Sequence, residues 1–365
     1  MTQPAGQGSG PPGSNRVVLV TGATSGIGFH TARELAARGA SVLVTGRDQQ
    51  RGADAVRLLA IAAGHTRVGF VQADHASVGA NERLGEAVAG RLATAGLPQR
   101  LDVLVNNVGG IFATRTVTVD GYEATLAINF LAPVVLTQSV LPLLRASDAP
   151  RCVNVTSSLA WLAREVPGGL LDDIQSTRQY VGIRAHARAK LLTAAWTIAL
   201  SREPGTRLTA ATVNPGMAWT AMTQALTPQV VPSWKYVYPL VRFFQKRGDP
   251  AKAARVCVEL AWSARPADIS GRYITEHGKP GKYPAVVADP AVQDQVLSIA
   301  QDLARHAPTA VGGLPAGRGR RLHRGRRGSA PTRSPAALSS SAPLPTPPPP
   351  CRDTPRICQW SPVGE

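Results

Sequence analysis

The sequence predicts an α/β fold in which a single doubly wound parallel sheet of about seven strands carries helices on both faces. Short apolar runs alternate with longer segments of helical periodicity across residues 16–275, and Gly-rich or polar residues follow most of these runs. Parallel strands require crossover connections, and strands that are apolar throughout are buried on both faces. Such sheets bind ligands beyond the carboxyl ends of their strands. The residues that follow the apolar runs are therefore the candidate site.

Composition sets the limits of the folded domain. We expect one continuous core over residues 15–307, because a chain of 365 residues can bury a core of that size. Residues 1–14 lack the charged and apolar regions of a signal peptide and are expected to form a disordered leader. Residues 308–365 are rich in Arg and Pro and are expected to be a disordered tail, since they cannot bury enough apolar surface to fold. No apolar run reaches the roughly 18 residues of a membrane span, so no transmembrane segment is expected.

The net charge of +17 is partly a property of the tail. Residues 308–365 contain nine arginines and two acidic residues, which gives +7. The tail lacks interleaved aromatic residues and a folded binding module, so we expect no specific nucleic-acid partner. The four cysteines show neither metal-ligand nor disulfide spacing. This pattern argues against a metal site and favours a reducing, cytoplasmic location.

The most informative stretch is the first strand and the loop that follows it. Val17–Val20 is an apolar run, and residues 21–28 read TGATSGIG. Glycines permit a tight turn and a close approach of the backbone to a pyrophosphate at the N-terminus of the next helix. A Gly-rich loop alone is weak evidence. The candidate phosphate-binding residues are Gly22, Thr24, Ser25, Gly26, Ile27 and Gly28.

The ends of the second and third strands indicate which dinucleotide binds. Arg47 follows the strand expected at 40–44, where an Arg accommodates a 2′-phosphate and an acidic residue would bind a 2′-hydroxyl. NADP(H) is therefore favoured over NAD(H), and with it a reducing direction; the alternative for Arg47 is a solvated side chain. Asp74 follows the strand expected at 68–72, where its carboxylate either accepts a hydrogen bond from adenine or caps the next helix.

The remaining elements continue the alternation. Further helices are expected over 48–63, 78–95, 120–146, 178–202 and 249–264, and further strands over 101–105, 151–155, 208–213 and 272–275. Asn106 follows the fourth strand. Asn129 lies within an apolar helical run, where a buried amide either bonds backbone carbonyls and waters or marks a kink near Pro133.

Taken together, these residues resemble the short-chain dehydrogenase/reductase family, and most of all its retinol-dehydrogenase-like branch. The resemblance covers roughly residues 14–305. It is carried by Thr21-Gly22 with Gly26-Ile27-Gly28, Asp74, Asn106-Asn107-Val108-Gly109, Asn129, the serine after the fifth strand, and Pro215-Gly216 with Thr220. It implies a Rossmann fold and a hydride transfer between a nicotinamide dinucleotide and a carbonyl or alcohol.

The resemblance also implies roles for individual residues. Ser157 would position the substrate oxygen, with Ser158 as the alternative. Asn129 would hold a water relay, and Lys190 would hold the nicotinamide ribose. The cofactor-binding residues implied beyond the phosphate loop are Asn106, Lys190, Pro215, Gly216 and Thr220.

One position departs from the family pattern. The family places a proton-donating Tyr four residues before the Lys, and here that residue is His186. Three interpretations stay open: His186 donates the proton, Tyr180 donates it from a rearranged loop, or the chain binds NADP(H) without turnover. Imidazole is a competent acid near neutral pH, but the charge of Lys190 would lower its pKa.

Residues 217–248 lie where the family has its substrate lid. Six aromatic residues fall in this segment, namely Trp219, Trp234, Tyr236, Tyr238, Phe243 and Phe244. An apolar lid suits a hydrophobic alcohol, aldehyde or ketone. The same aromatics could instead pack the lid on the sheet or, beside the basic residues of this segment, form an interfacial helix. The resemblance is also compatible with a homodimer.

Overall fold

The computed structural model of the protein describes residues 15–157, 160, 169–203, 207–262 and 264–305. All of these belong to one unit of the chain, residues 1–312. The expected leader 1–14, the expected tail 308–365 and the alternative serine, Ser158, lie outside the described residues.

Seven parallel strands form one sheet in the described part of the chain. Their bounds are Val17–Val20 (β1), Ser41–Gly46 (β2), Val68–Gln72 (β3), Val103–Asn106 (β4), Arg151–Val155 (β5), Thr209–Val213 (β6) and Tyr273–Ile274 (β7). The order across the sheet is β3-β2-β1-β4-β5-β6-β7. The predicted doubly wound topology is confirmed, and its switch point lies between β1 and β4, where such sheets bind ligands.

Helices cover both faces of this sheet. They are Gly26–Ala37 (α1), Gln49–Ala63 (α2), Val78–Thr94 (α3), Ala124–Leu126 (α4), Ala132–Ser139 (α5), Leu141–Arg145 (α6), Gly182–Ser201 (α7), Ala221–Gln224 (α8), Tyr238–Gln245 (α9), Pro250–Trp262 (α10), Pro266–Ile269 (α11), Ala285–Ala288 (α12) and Pro290–Arg305 (α13). Val17 and Leu19 of β1 pack with α3, α5, α7 and α13. Val18 and Val20 point the other way and pack with α1, α2 and α10.

The helix expected over 120–146 is interrupted, and two of its residues explain why. Asn129 Nδ2 donates to the carbonyl oxygen of Thr125 at 2.8 Å, where a regular helix would place a backbone N–H. Pro133 has no N–H to give the carbonyl oxygen of Asn129, and Thr193 Oγ1 on α7 donates to that oxygen instead at 2.7 Å. A π-helical turn therefore occupies Ala127–Leu131, between α4 and α5.

The long helix α7 begins at Gly182 rather than near 178, because the preceding residues form a loop around Asp173. The Asp173 carboxylate accepts hydrogen bonds from the backbone N–H groups of Thr177 and Arg178 at 2.7 and 3.0 Å. Tyr180 consequently lies outside α7. This is the loop that the interpretation of Tyr180 as proton donor required.

The last two helices, α12 and α13, were not predicted from the sequence. Val296 and Ala300 of α13 are fully buried and belong to the same core layer as α7. Arg202, just after α7, donates to the side chain of Gln293 on α13. Neither α13 nor any other helix among the described residues is long and apolar enough to cross a membrane.

Candidate active site

An open pocket of about 330 Å³ lies beyond the carboxyl ends of the central strands. Ten predicted site residues line it: Gly22, Ser25, Gly26, Ile27, Ser157, His186, Lys190, Pro215, Gly216 and Thr220. Six others do not line it: Thr24, Gly28, Arg47, Asp74, Asn106 and Asn129. The pocket therefore joins the phosphate loop (residues 21–28), the end of β5 and one face of α7.

Glycine is required at different positions of the phosphate loop for different structural reasons. Gly22 and Gly26 both have a φ of 60°, which side-chain-bearing residues rarely adopt. At Gly28 a Cβ would lie 2.4 Å from Asn107 Nδ2 and 2.9 Å from the carbonyl oxygen of Gly22. Asn107 Nδ2 donates to the carbonyl oxygens of Thr21 and Gly22 at 2.8 and 3.3 Å. Asn107 thus braces the loop, although the sequence analysis did not select it as a site residue.

The N-terminus of α1 is a suitable place for a phosphate. The first N–H groups of a helix have no intrahelical acceptors, and the N-cap residue Ser25 makes no side-chain capping bond. No acidic residue stands in the first turn, and Gly26 and Ile27 line the pocket. Hydrogen-bond donors and the positive end of the helix dipole are therefore available to an anion. This arrangement fits the pyrophosphate of a dinucleotide.

Arg47 lies at the edge of the phosphate loop rather than in the pocket lining. It directly follows β2, and its side chain is exposed. A Cβ on Gly46 would lie 2.8 Å from Thr24 Cγ2, so Thr24 packs beside the residue that precedes Arg47. The end of β2 that leads into Arg47 is thus a neighbour of the phosphate loop.

Asn106 and Asp74 bond other groups and are not brought to the pocket lining. Asn106 is buried at the end of β4, and its Nδ2 donates to Asn154 Oδ1 on β5 at 2.8 Å. Asp74 is exposed and accepts a hydrogen bond from the backbone N–H of Ala76 at 3.1 Å. The N-cap of α3 is Ser77, not Asp74.

Lys190 and His186 lie one turn apart on α7, and both are buried while lining the pocket. Lys190 Nζ donates to the carbonyl oxygen of Val155 at 2.8 Å. Burial lowers the pKa of Lys190 to about 8. Burial, followed by the charge of Lys190, lowers the pKa of His186 to about 3. The i, i+4 spacing thus places both groups on the pocket face of α7.

The surroundings of His186 determine which nitrogen carries its proton. Its Nδ1 lies 3.3 Å from the carbonyl oxygen of Gly110, and because a carbonyl only accepts, this bond requires the proton on Nδ1. With a pKa of about 3 the ring is neutral near pH 7, so Nε2 carries no proton. Nε2 is buried and has no hydrogen-bond partner in the described part of the protein. In this arrangement His186 offers a hydrogen-bond acceptor and no acidic proton.

Asn129 braces the loop after β4 close to Lys190. Its Nδ2 donates to the carbonyl oxygen of Gly110 at 2.8 Å, and its Oδ1 accepts from the N–H of Gly110 at 3.3 Å. A Cβ on Gly109 would lie 2.9 Å from Asn129 Oδ1 and 3.5 Å from Lys190 Nζ. Both polar groups therefore border the same glycine.

Tyr180 does not reach the pocket lining. Its hydroxyl donates to the carbonyl oxygen of Phe112 at 3.1 Å and lies 2.9 Å from Thr125 Oγ1. Burial raises the pKa of Tyr180, which makes its hydroxyl a weaker acid. Tyr180 lies in the loop before α7, and its hydroxyl points to Thr125 on α4 rather than into the pocket.

The segment 217–248, which we call the lid, forms the outer wall of the pocket. Its apolar lining residues are Met217, Ala218, Ala221, Met222, Leu226, Trp234 and Val241. Of the six lid aromatics, Trp234 lines the pocket, and the other five are not among the described residues that line it. Thr220 caps α8, and its Cγ2 lies 3.2 Å from where a Cβ on Gly26 would be. The pocket accordingly has one end at the N-terminus of α1 and one apolar end.

Comparisons with known proteins show the family of this chain. The family model for short chain dehydrogenases matches residues 16–166. The chain is 37% identical to a polyprenol dehydrogenase of Mus musculus over 221 residues, which is 58% of this chain and 62% of that protein. It is 31% identical to retinol dehydrogenase 14 of Mus musculus over 283 residues, which is 73% of this chain and 80% of that protein.

A solved structure has the same fold. The Pseudomonas aeruginosa RhlG/NADP active-site complex matches with a TM-score of 0.53 and 26% sequence identity. The match covers 71% of this chain and 94% of that chain.

Proposed function

This chain belongs to the short-chain dehydrogenase/reductase family, in its retinol-dehydrogenase-like branch, and from that premise we propose an NADP(H)-dependent oxidoreductase of hydrophobic alcohols, aldehydes or ketones. Membership makes it an NAD(P)-dependent oxidoreductase; the choice of NADP(H) and the substrate class are our proposal. One observation carries it: a single pocket joins the N-terminus of α1, the pair Ser157 and Lys190, and an apolar lid wall. When bound, the nicotinamide supplies or accepts the hydride.

The chain's own residues are arranged to hold such a cofactor. The N-terminus of α1 would bind the pyrophosphate through backbone N–H groups. Arg47, exposed and directly after Gly46, which packs against Thr24, would bind a 2′-phosphate by a charge-assisted hydrogen bond. Lys190 would hold the ribose. These placements support NADP(H) over NAD(H).

The substrate class follows from the apolar end of the pocket. The lid contributes thioether, aliphatic and indole surface to the lining, which favours an apolar substrate with one oxygen function. Two relatives carry the names polyprenol dehydrogenase and retinol dehydrogenase. Both names refer to long apolar alcohols, so we propose a substrate of that kind or the corresponding carbonyl compound.

Proton transfer is the step that the Tyr-to-His difference changes. We assign it to Lys190, because its pKa of about 8 lets the amine both give and take a proton near neutral pH. Ser157 Oγ binds the substrate oxygen. His186, neutral and with its Nε2 buried, offers the substrate no acidic proton. In reduction Nζ gives its proton to the carbonyl oxygen, and in oxidation it takes the hydroxyl proton.

The pH dependence of turnover tests this assignment. Reduction needs the Lys190 ammonium, so its kcat should fall as pH rises through about 8, whereas oxidation should rise there. Both directions are followed by NADPH absorbance over a panel of apolar aldehydes, ketones and alcohols. Lys190→Arg keeps the positive charge but cannot titrate in this range, so it should lose most activity together with the inflection.

Ser157→Ala is the matched control, since it should lower kcat without moving the inflection. An inflection that survives in Lys190→Arg would show that another group transfers the proton. The variant His186→Tyr separates the remaining alternatives. Turnover that appears only in this variant would mean that the native chain binds NADP(H) without catalysis. The cytoplasmic location and the homodimer stay predictions from the sequence.

A further inference from the structure

The lid exposes one apolar face to solvent. Its members are exposed to the following extents: Tyr236 87%, Val237 47%, Leu240 58%, Phe243 52% and Phe244 53%. Their positions i, i+1, i+4, i+7 and i+8 fall on one side of α9 and the turn before it. An exposed apolar patch of this kind marks a surface that contacts something else. We call these five residues the apolar face of α9.

Cations flank this face. Lys235, Lys246 and Arg247 are exposed, and residues 217–248 contain neither Asp nor Glu. The Arg247 guanidinium carbon lies 3.5 Å from the centroid of the Phe243 ring, and Lys235 Nζ lies 5.6 Å from that of Tyr236. Basic side chains therefore lie directly against the exposed aromatic rings.

We propose that the apolar face of α9 docks on an anionic lipid surface. A helix whose apolar face carries aromatic residues with Lys and Arg beside it lies in the boundary between lipid headgroups and acyl chains. Each cation near such a surface adds to the attraction. A second copy of this chain would bring the same three cations, Lys235, Lys246 and Arg247, against themselves, so charge disfavours self-association through this face.

The opposite face of α9 belongs to the pocket. Val241 and Gln245 line it, and Gln245 is buried. A lipid surface held by Leu240 and Phe244 would thus lie one helix thickness from the apolar end of the pocket. An apolar substrate could then pass from lipid to pocket without crossing water. This consequence rests on the proposed function, whereas the docking does not.

Vesicle co-sedimentation of the full chain tests the docking. The probes are vesicles of phosphatidylcholine alone and of phosphatidylcholine with phosphatidylglycerol. We expect binding to the anionic vesicles and a loss of about tenfold or more in partitioning for Leu240→Asp/Phe244→Asp, since two inserted apolar side chains become carboxylates. Ile61→Asp is the matched control, because Ile61 is a 72% exposed apolar residue on α2 and should leave binding unchanged.

The Arg-rich residues 308–365 are also attracted to anionic lipid, and salt separates the two contributions. Purely electrostatic binding should vanish at high salt, whereas the part due to α9 should persist and be absent from the double variant. Equal binding by the double variant and the wild type at both salt concentrations would overturn the proposal. The proposal would also be overturned if the wild type bound no vesicles and the double variant changed from dimer to monomer, because the apolar face of α9 would then be a contact between two copies of the chain. Neither outcome depends on turnover, so the proposed function is tested separately.

Discussion

At position 186, burial beside a lysine decides what a histidine can do. His186 Nδ1–H donates a hydrogen bond to the carbonyl oxygen of Gly110. The pKa of the ring is lowered to about 3. The sequence allowed this residue to be an acid, but a neutral imidazole in this tautomer has only a lone pair to offer. The titratable group of the pair is Lys190, with a pKa of about 8. In our proposal, therefore, proton transfer is carried out by Lys190, one helical turn after the position where the family has its Tyr.

Arg47 is the residue through which the cofactor preference is tested. Arg47→Ala should weaken NADPH binding by about tenfold to a hundredfold, because a charge-assisted bond to a phosphate is lost. NADH binding should change little, because NADH has no 2′-phosphate. Dissociation constants for both cofactors can be measured by fluorescence titration.

Arg57→Ala provides the control for a general loss of positive charge. Arg57 is an exposed cation of α2 whose guanidinium lies 3.7 Å from Asp54. We expect this variant to bind both cofactors like the wild type. A parallel loss of NADPH and NADH affinity in Arg47→Ala would contradict the assignment of a 2′-phosphate site.

Among the elements, the phosphate loop depends on the end of a neighbouring strand. Asn107 follows β4, and its amide bonds the carbonyl oxygens of Thr21 and Gly22. Its backbone N–H also donates to Thr21 Oγ1 at 3.0 Å. The loop is therefore held in shape from the switch point of the sheet, and a fault there should affect both stability and cofactor binding.

Gly28→Ala tests this dependence. The new methyl group would lie 2.4 Å from Asn107 Nδ2, so the amide must move and release the loop. We expect a loss of about 1–3 kcal/mol in the free energy of unfolding, as for other overpacked sites, together with weaker NADPH binding. Urea denaturation and cofactor titration measure the two effects.

Gly90→Ala on α3 is the matched control for adding a methyl group to a helical glycine. A Cβ at Gly90 meets no heavy atom within 4 Å, so the variant should be more stable by about 0.5–1 kcal/mol. Its NADPH binding should be unchanged. If Gly28→Ala behaved like Gly90→Ala, the close approach of Asn107 would not constrain the loop.

For the whole molecule, buried neutral histidines make stability depend on pH. Burial lowers the pKa of both His186 and His75. The unfolded chain binds a proton at His186 below the ordinary histidine pKa of 6.5, whereas the folded chain does so only below a pKa of about 3. The free energy of unfolding should therefore fall as pH drops from 6.5 towards 3, by up to about 1.4 kcal/mol per pH unit for His186, and His75 should contribute in the same direction.

Urea denaturation at pH 7 and pH 5 tests the contribution of His186. His186→Leu should reduce the loss of stability between these values, because one proton-binding site of the unfolded chain is removed. His277→Leu serves as the control, since His277 is exposed, and it should keep the dependence of the wild type. The same dependence in all three proteins would mean that His186 is not buried as a neutral base.

The sequence by itself determined the parallel sheet, the phosphate loop and the pairing of His186 with Lys190 on one helix face. These follow from local rules, namely apolar periodicity, glycine conformations and the i, i+4 spacing of a helix. The helices α12 and α13 were not predicted from the sequence, and residues 120–146 were expected to form one helix. The break at Asn129 arises partly because Thr193, distant in sequence, supplies the hydrogen bond that Pro133 cannot.

Only the tertiary structure decided how the candidate site residues are used. Burial lowers the pKa of Lys190 and is the larger cause of the lowered pKa of His186, and burial depends on chain segments that meet only after folding. The same holds for Asn107, whose partners lie in the phosphate loop, and for Asn106, whose amide is directed to β5. The sequence left three roles open for the lid aromatics, namely to line an apolar pocket, to pack the lid on the sheet or to form an interfacial helix. In the structure Tyr236, Phe243 and Phe244 are exposed. The side of α9 that faces the pocket is occupied by Val241 and Gln245 instead.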